Sequence, residues 1–144
     1  MTSPDSPQLA NLARIGKLKA EAPDARELAG LLRSSKVRLQ DSRQISLALE
    51  SRFDLAYNAA HAAALAALRA HGYRSENRYL VFQCLEHTLQ FKPEQWLILN
   101  QAHNKRNLAE YEGDLDVTQS FVDELIVHVA VLLDAVTALE GTSS

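Results

Sequence analysis

"SLALESRFDLAYNAAHAAALAALRAHG", residues 46–72, decides the fold. It is dominated by the best helix-forming residue, and it closes on a glycine where a helix favours a left-handed cap. Alanine side chains also let neighbouring helices approach closely. The stretch therefore reads as the central helix of a bundle.

Working outward, the flanking segments carry helix punctuation and almost no strand signal. After a Pro- and Ser-containing start, "QLANLARIGKLKA" (8–20) predicts a short helix weakened by Gly16. Asp24 and Glu27 have the spacing of a capping box, with Leu28, Leu31, Leu32 and Leu39 as the buried stripe of the helix that follows. Residues 41–46 are expected to turn or bend. "SENRYLVFQCLEHTLQF" (75–91) predicts one further helix. Pro93 suits the first position of "PEQWLILNQAHNKRNLAEYEG" (93–113), again closed by glycine. Asp116 and Gln119 resemble another capping box. The last helix then repeats Val122, Leu125, Val129, Leu132, Val136 and Leu139 in steps of three and four, a seam fitting a bundle or a helix–helix dimer contact. The expectation is an all-α, up-and-down bundle of four to five helices over 24–144, preceded by an N-terminal segment, 1–23, with a short helix.

Composition narrows the function classes. With 47% hydrophobic and 23% charged residues, the 144-residue chain has the profile of a globular domain able to bury a core. Cys84 is the only cysteine, so paired thiols and a cysteine-based zinc site are excluded. Histidines 61, 71, 87, 103 and 128 form no i,i+4 pair, and no cofactor or metal is expected. The start lacks a secretory pattern and no run approaches the ~18 apolar residues of a membrane span, so a cytoplasmic protein without membrane contact is expected. Glycine-rich phosphate loops, HExxH, EF-hand and nucleophile-elbow patterns are absent. A formal net charge of −3 speaks against a dedicated duplex-DNA reader. All 15 Lys and Arg lie within 1–106, whereas 107–144 holds eight acids and no Lys or Arg. Such segregation suits pairing between segments or between subunits.

The helix over 93–112 holds the chemistry. At ~100° per residue, Trp96, Leu99, His103, Arg106, Asn107, Glu110 and Tyr111 share one broad face, apolar at first and polar at its end. Arginine matches phosphate bidentately, histidine titrates near neutrality, and tyrosine stacks or hydrogen-bonds. A plain i,i+4 pair between Arg106 and Glu110 is the structural alternative. On the alanine-rich helix, Asp54, Asn58 and His61 share a face beside Tyr57. Asn58 and His61 are candidate ligand-binding residues if they face Arg106 and Tyr111, and a structural hydrogen-bond network otherwise.

These two segments, "RFDLAYNAAHAAALAALRAHGYR" (52–74) and "RNLAEY" (106–111), resemble the HEPN superfamily (higher eukaryotes and prokaryotes nucleotide-binding) over about residues 24–140. The family hallmark is an arginine, usually a polar residue next, three variable positions and a histidine. Arg106 and Asn107 match it, and Tyr111 occupies the histidine place. The resemblance implies a four- or five-helix bundle, commonly a homodimer with the motif arginines meeting in a cleft. Family members include metal-independent ribonucleases acting as toxins in toxin–antitoxin or defence systems, partners of a small nucleotidyltransferase, and binders of nucleotides or proteins. In a ribonuclease, Arg106 would stabilise phosphoryl charge, Asn107 would orient the phosphate, and Tyr111, or His103 one turn earlier, would stand in for the proton-carrying histidine.

Three readings follow. In the first, an Arg-Asn-x3-Tyr face binds nucleotide or RNA phosphate, or a partner such as a cognate nucleotidyltransferase or antitoxin. The second is an RNA-cleaving toxin. The third is a structural helical dimer whose polar face is an interface network.

Overall fold

A computed structural model describes residues 6–141 and is mostly helical, with one two-stranded pairing as its only sheet among the described residues. Helix α1 (Pro7–Arg14) starts where Ser6 Oγ accepts the Leu9 amide, with Pro7 in the first turn. Helix α2 (Ala25–Ser42) is capped by Asp24, whose carboxylate accepts the Arg26 and Glu27 amides at 2.9 and 3.4 Å. The reciprocal half of the expected capping box does not form. Glu27 instead turns to Arg69 and Arg74, because two guanidiniums outbid one backbone amide.

Helix α3 (Leu49–Ala70) is the central element, touching α2 and the last helix as well as the helices that follow α3. Ala56, Ala59, Ala60, Ala63, Ala64, Ala66 and Ala67 are all buried, so the helix is enclosed nearly all round. Its small residues permit the close approach in which Ser35 Oγ of α2 donates to the Ala59 carbonyl at 2.8 Å. Gly72, at φ +89°, lets the chain leave the helix.

The helix expected over 75–91 divides into α4 (Arg78–Gln83) and α5 (Leu85–Thr88). At Cys84 the hydrogen bonding tightens, the Cys84 carbonyl accepting from both His87 and Thr88. Val81, Phe82, Cys84 and Leu85 all reach the core across the break. Helix α6 (Pro93–Glu112) begins with Gln95 Oε1 accepting the Lys92 amide and ends at Gly113, φ +74°. Helix α7 (Gln119–Gly141) is capped by Thr118, whose hydroxyl accepts the Phe121 amide at 3.0 Å, not by an Asp116–Gln119 box. Val122, Leu125, Val129, Leu132 and Val136 of the α7 seam are spent inside this bundle.

Leu9 and Leu18, ahead of residue 24, belong to the same core cluster as the helices. Strands β1 (Lys19–Ala20) and β2 (Tyr73–Arg74) pair antiparallel, clipping the N-terminal segment onto the end of α3. Arg69 locks this corner. It is 1% exposed, and its guanidinium donates to the carbonyls of Glu21 and Ala22 at 2.8 Å and to Glu27 Oε1 at 2.6 Å. Among the described residues, no helix is long and apolar enough to cross a membrane.

Candidate functional site

Tyr57 is fully buried on α3, and every other part of the site is arranged around it. Its ring stacks on Phe53 at 6.2 Å and meets the edge of Phe82 at 6.0 Å. Its hydroxyl lies 2.9 Å from Nδ1 of His103 on α6. Two guanidiniums then sit over the same ring, Arg106 of α6 at 5.3 Å and Arg78 of α4 at 5.6 Å from the centroid. Both are within cation–π range.

Neither arginine is neutralised from within the core. Arg78 donates to Asn58 Oδ1 at 3.3 Å and takes part in no ion pair among the described residues. Arg106 meets Glu110 at 3.3 Å, an i,i+4 pair whose carboxylate is 64% exposed. A pair so wet contributes only about 0.3–0.5 kcal/mol and yields readily to a competing anion.

Two histidines complete the basic cluster. His61 packs against the Phe82 edge, and burial first, then Arg78, Arg106 and His103, lower its pKa to about 4. His103 is lowered for the same reasons, burial leading, with Glu110 alone opposing. Both rings are therefore neutral at pH 7. His103 Nε2 lies 3.1 Å from the Asn107 amide nitrogen, which fixes the ring from its other side. Tyr79 and Trp96 extend the aromatic wall, with Trp96 Nε1 donating to Glu86 at 2.8 Å.

The candidates drawn from sequence thus divide. Arg106, Asn107, His103, Glu110, Asn58 and His61 are brought to one neighbourhood through Tyr57 and Arg78. Tyr111 is not. It is 93% exposed, because nine residues separate it from fully buried Ala102, and at ~100° per residue that is half a turn. Asn58 and His61 accordingly face Arg78 and Phe82 rather than Tyr111. Sequence reasoning overlooked Arg78 and underrated Tyr57. The usable signals were helical spacings of four, Tyr57 to His61 and Arg78 to Phe82, although the contacts that form are crossed between the helices, His61 with Phe82 and Arg78 with Tyr57.

A cleft of about 310 Å³ adjoins Arg106 on its other side, lined also by Glu50, Asp54, Glu110 and Asp114. Four carboxylates around one guanidinium repel an anion from that side. Searches of family models, curated proteins and solved structures return no match for this chain.

Proposed function

We propose that this chain is a HEPN-like helical bundle that binds the phosphate of a nucleotide or of single-stranded RNA between Arg78 and Arg106. One observation carries the reading. Two guanidiniums from separate helices converge on a single tyrosine ring, and among the described residues the only carboxylate paired with either is solvent-exposed. Cationic forks held in place by an aromatic ring are preorganised for phosphate oxygens, and Tyr79, 40% exposed, offers a stacking surface at the edge of the same cluster. The two cations come from one copy of the chain, so the site requires no second subunit. Association with an antitoxin or nucleotidyltransferase, as the resemblance implies, would use the same exposed polar turn of α6.

The test is titration of the purified protein with a nucleoside triphosphate and with a short single-stranded RNA, in EDTA, read by calorimetry. Wild type binds. Arg106→Gln and Arg78→Gln each weaken binding roughly 10–100-fold, the worth of one charge-assisted contact. Binding that ignores both substitutions overturns the proposal.

A second reading, RNA cleavage, is favoured by one feature. His103 is neutral at pH 7 and one turn from Arg106, so it is a better base than Tyr111. Both its ring nitrogens are already engaged, by Tyr57 and Asn107, and Asn107 must move before the ring can take a proton. Cleavage of RNA in EDTA by wild type, lost in His103→Gln but kept in Tyr111→Phe, is what that reading requires.

A further inference from the structure

Helices α2 and α7 both pack on α3 and touch each other, and a groove of about 530 Å³ runs between them. On α2 its lining falls at Leu32, Lys36, Leu39 and Arg43, steps of three and four that lay one stripe of the helix along the mouth. Leu39 and Leu133, 4% and 8% exposed, form the floor, with half-buried Leu32 and Ala130 beside them. The rim is basic. Arg33, Lys36 and Arg43 are exposed, and no ion pair among the described residues reaches any of them. Against these three cations the lining sets, among the described residues, one carboxylate, Asp134.

The dimensions select the occupant. Leu32 to Arg43 is eleven residues, about 16 Å along a helix. Spread over that length, about 530 Å³ gives a mean section of about 33 Å², roughly 6 Å across. An α-helix, about 10–12 Å wide with its side chains, is too broad to enter. An extended peptide is slim enough, but the walls are helices whose backbone groups are already bonded to each other, so its amides and carbonyls would find no partners. A polymethylene chain carries no such groups. One acyl chain reaches about 15 Å, half the hydrocarbon core of a bilayer, and so matches the groove in length.

Charge places the head. Arg52, at the start of α3, donates to the Ser42 carbonyl at the end of α2 and pairs with Asp123 at the start of α7, so the two helices run antiparallel. Asp134, eleven residues beyond Asp123, therefore lies toward the Arg33 end of the groove, and the Arg43 end is the freer of the two for an anion. Gln40, exposed one turn before Arg43, adds a carboxamide donor there, and Asp123, level with this end, is already held by Arg52 at 3.2 Å. We propose that the α2–α7 groove binds a fatty carboxylate, a single-chain anionic amphiphile, with its head at Arg43 and Gln40 and its tail along Leu39, Ala130, Leu133 and Leu32. The groove shares no residue with the Arg78–Arg106 cluster, so this inference does not rest on the phosphate reading.

Calorimetry with sodium dodecanoate below its micelle concentration, paired with ¹H–¹⁵N spectra, tests it on the full chain. Wild type binds one molecule with a dissociation constant on the order of 100 μM, and the amide signals that move centre on α2 and α7. Arg43→Glu weakens binding at least about tenfold, since the head then meets a carboxylate. Ala130→Phe, which fills the groove from a half-buried position, abolishes it. Butyrate, with the head but little tail, and dodecyltrimethylammonium, with the tail but the opposite charge, fail to bind at about 1 mM. Circular dichroism verifies that each variant is folded, and exposed Arg43→Glu carries the test should Ala130→Phe unfold. Dodecanoate that does not bind, binding that survives either substitution in a folded variant, equal binding of the ammonium, or association with phosphatidylglycerol vesicles alone overturns the proposal.

Discussion

Tyr57 Oη and His103 Nδ1 stand 2.9 Å apart across 46 residues of chain, joining the buried centre of α3 to the polar end of α6. The Asn107 amide donates to His103 Nε2, so the neutral ring carries its proton on Nδ1 and gives it to the tyrosine oxygen. Tyr57→Phe keeps the ring that Phe53, Phe82 and the arginines contact and removes only this acceptor. A stability loss of about 1 kcal/mol in urea denaturation is expected, with the His103 tautomer shifting in its ¹⁵N spectrum. An unchanged midpoint together with an unchanged tautomer would show that the bond contributes nothing.

Acid should loosen the fold through His61. Its folded pKa is about 4, whereas an unfolded histidine titrates near 6.5. Between those values the unfolded chain binds a proton that the folded chain does not, so stability falls as pH falls. The loss is about 2 kcal/mol by pH 5, and the lowered pKa of His103 acts in the same direction. Denaturation midpoints at pH 7.5 and 5 measure it, and His61→Gln flattens the difference. Saturating inorganic phosphate should also flatten it, because an anion between the arginines favours protonated histidines.

Much of this architecture was legible, for reasons that differ by element. Alanine content and a terminal glycine mark α3, and the seam from Val122 to Val136 marks α7, because both signals are local and periodic. Two-residue strands have no period to read, so the β1–β2 clip was invisible. The convergence of Arg78 and Arg106 on Tyr57 is purely tertiary, joining α4 and α6 through a ring on α3. Tyr111 misled because motif order counts residues while helix geometry counts angle, and position 111 lies opposite the buried edge of α6. At the start of α7 several side-chain oxygens compete for one set of amides, and spacing alone did not select Thr118.

Three glycines should respond to alanine with different signs. Gly72 (φ +89°) and Gly113 (φ +74°) hold left-handed backbone, and a Cβ at either meets nothing closer than 3.9 Å. The cost of Gly72→Ala or Gly113→Ala is therefore backbone strain alone, about 1–2 kcal/mol each. Gly30 lies inside α2 with open space around it, so Gly30→Ala should stabilise by about 0.5–1 kcal/mol. Thermal unfolding of the three variants checks the pattern, and a destabilised Gly30→Ala would mean that its surroundings are tighter than they look.

Arg69 should be the most sensitive charged residue in the chain. With 1% of its side chain exposed, it reaches two carboxylates, Glu21 and Glu27, and the backbone carbonyls of Glu21 and Ala22. Arg69→Met strips the donor from the Glu21 and Ala22 carbonyls and leaves both carboxylates with Arg74 as their one remaining guanidinium, a loss of about 3–5 kcal/mol and a fall in Tm on the order of 10 °C. Arg69→Lys keeps the charge but has no fork to span a carboxylate and two carbonyls at once, so it should recover only a minor part. Glu27→Gln in the Arg69→Met background should cost less than in wild type, because one of its two guanidinium partners is already gone and only Arg74 remains. A lysine variant as stable as wild type would assign the corner's stability to charge alone and remove the case for guanidinium geometry.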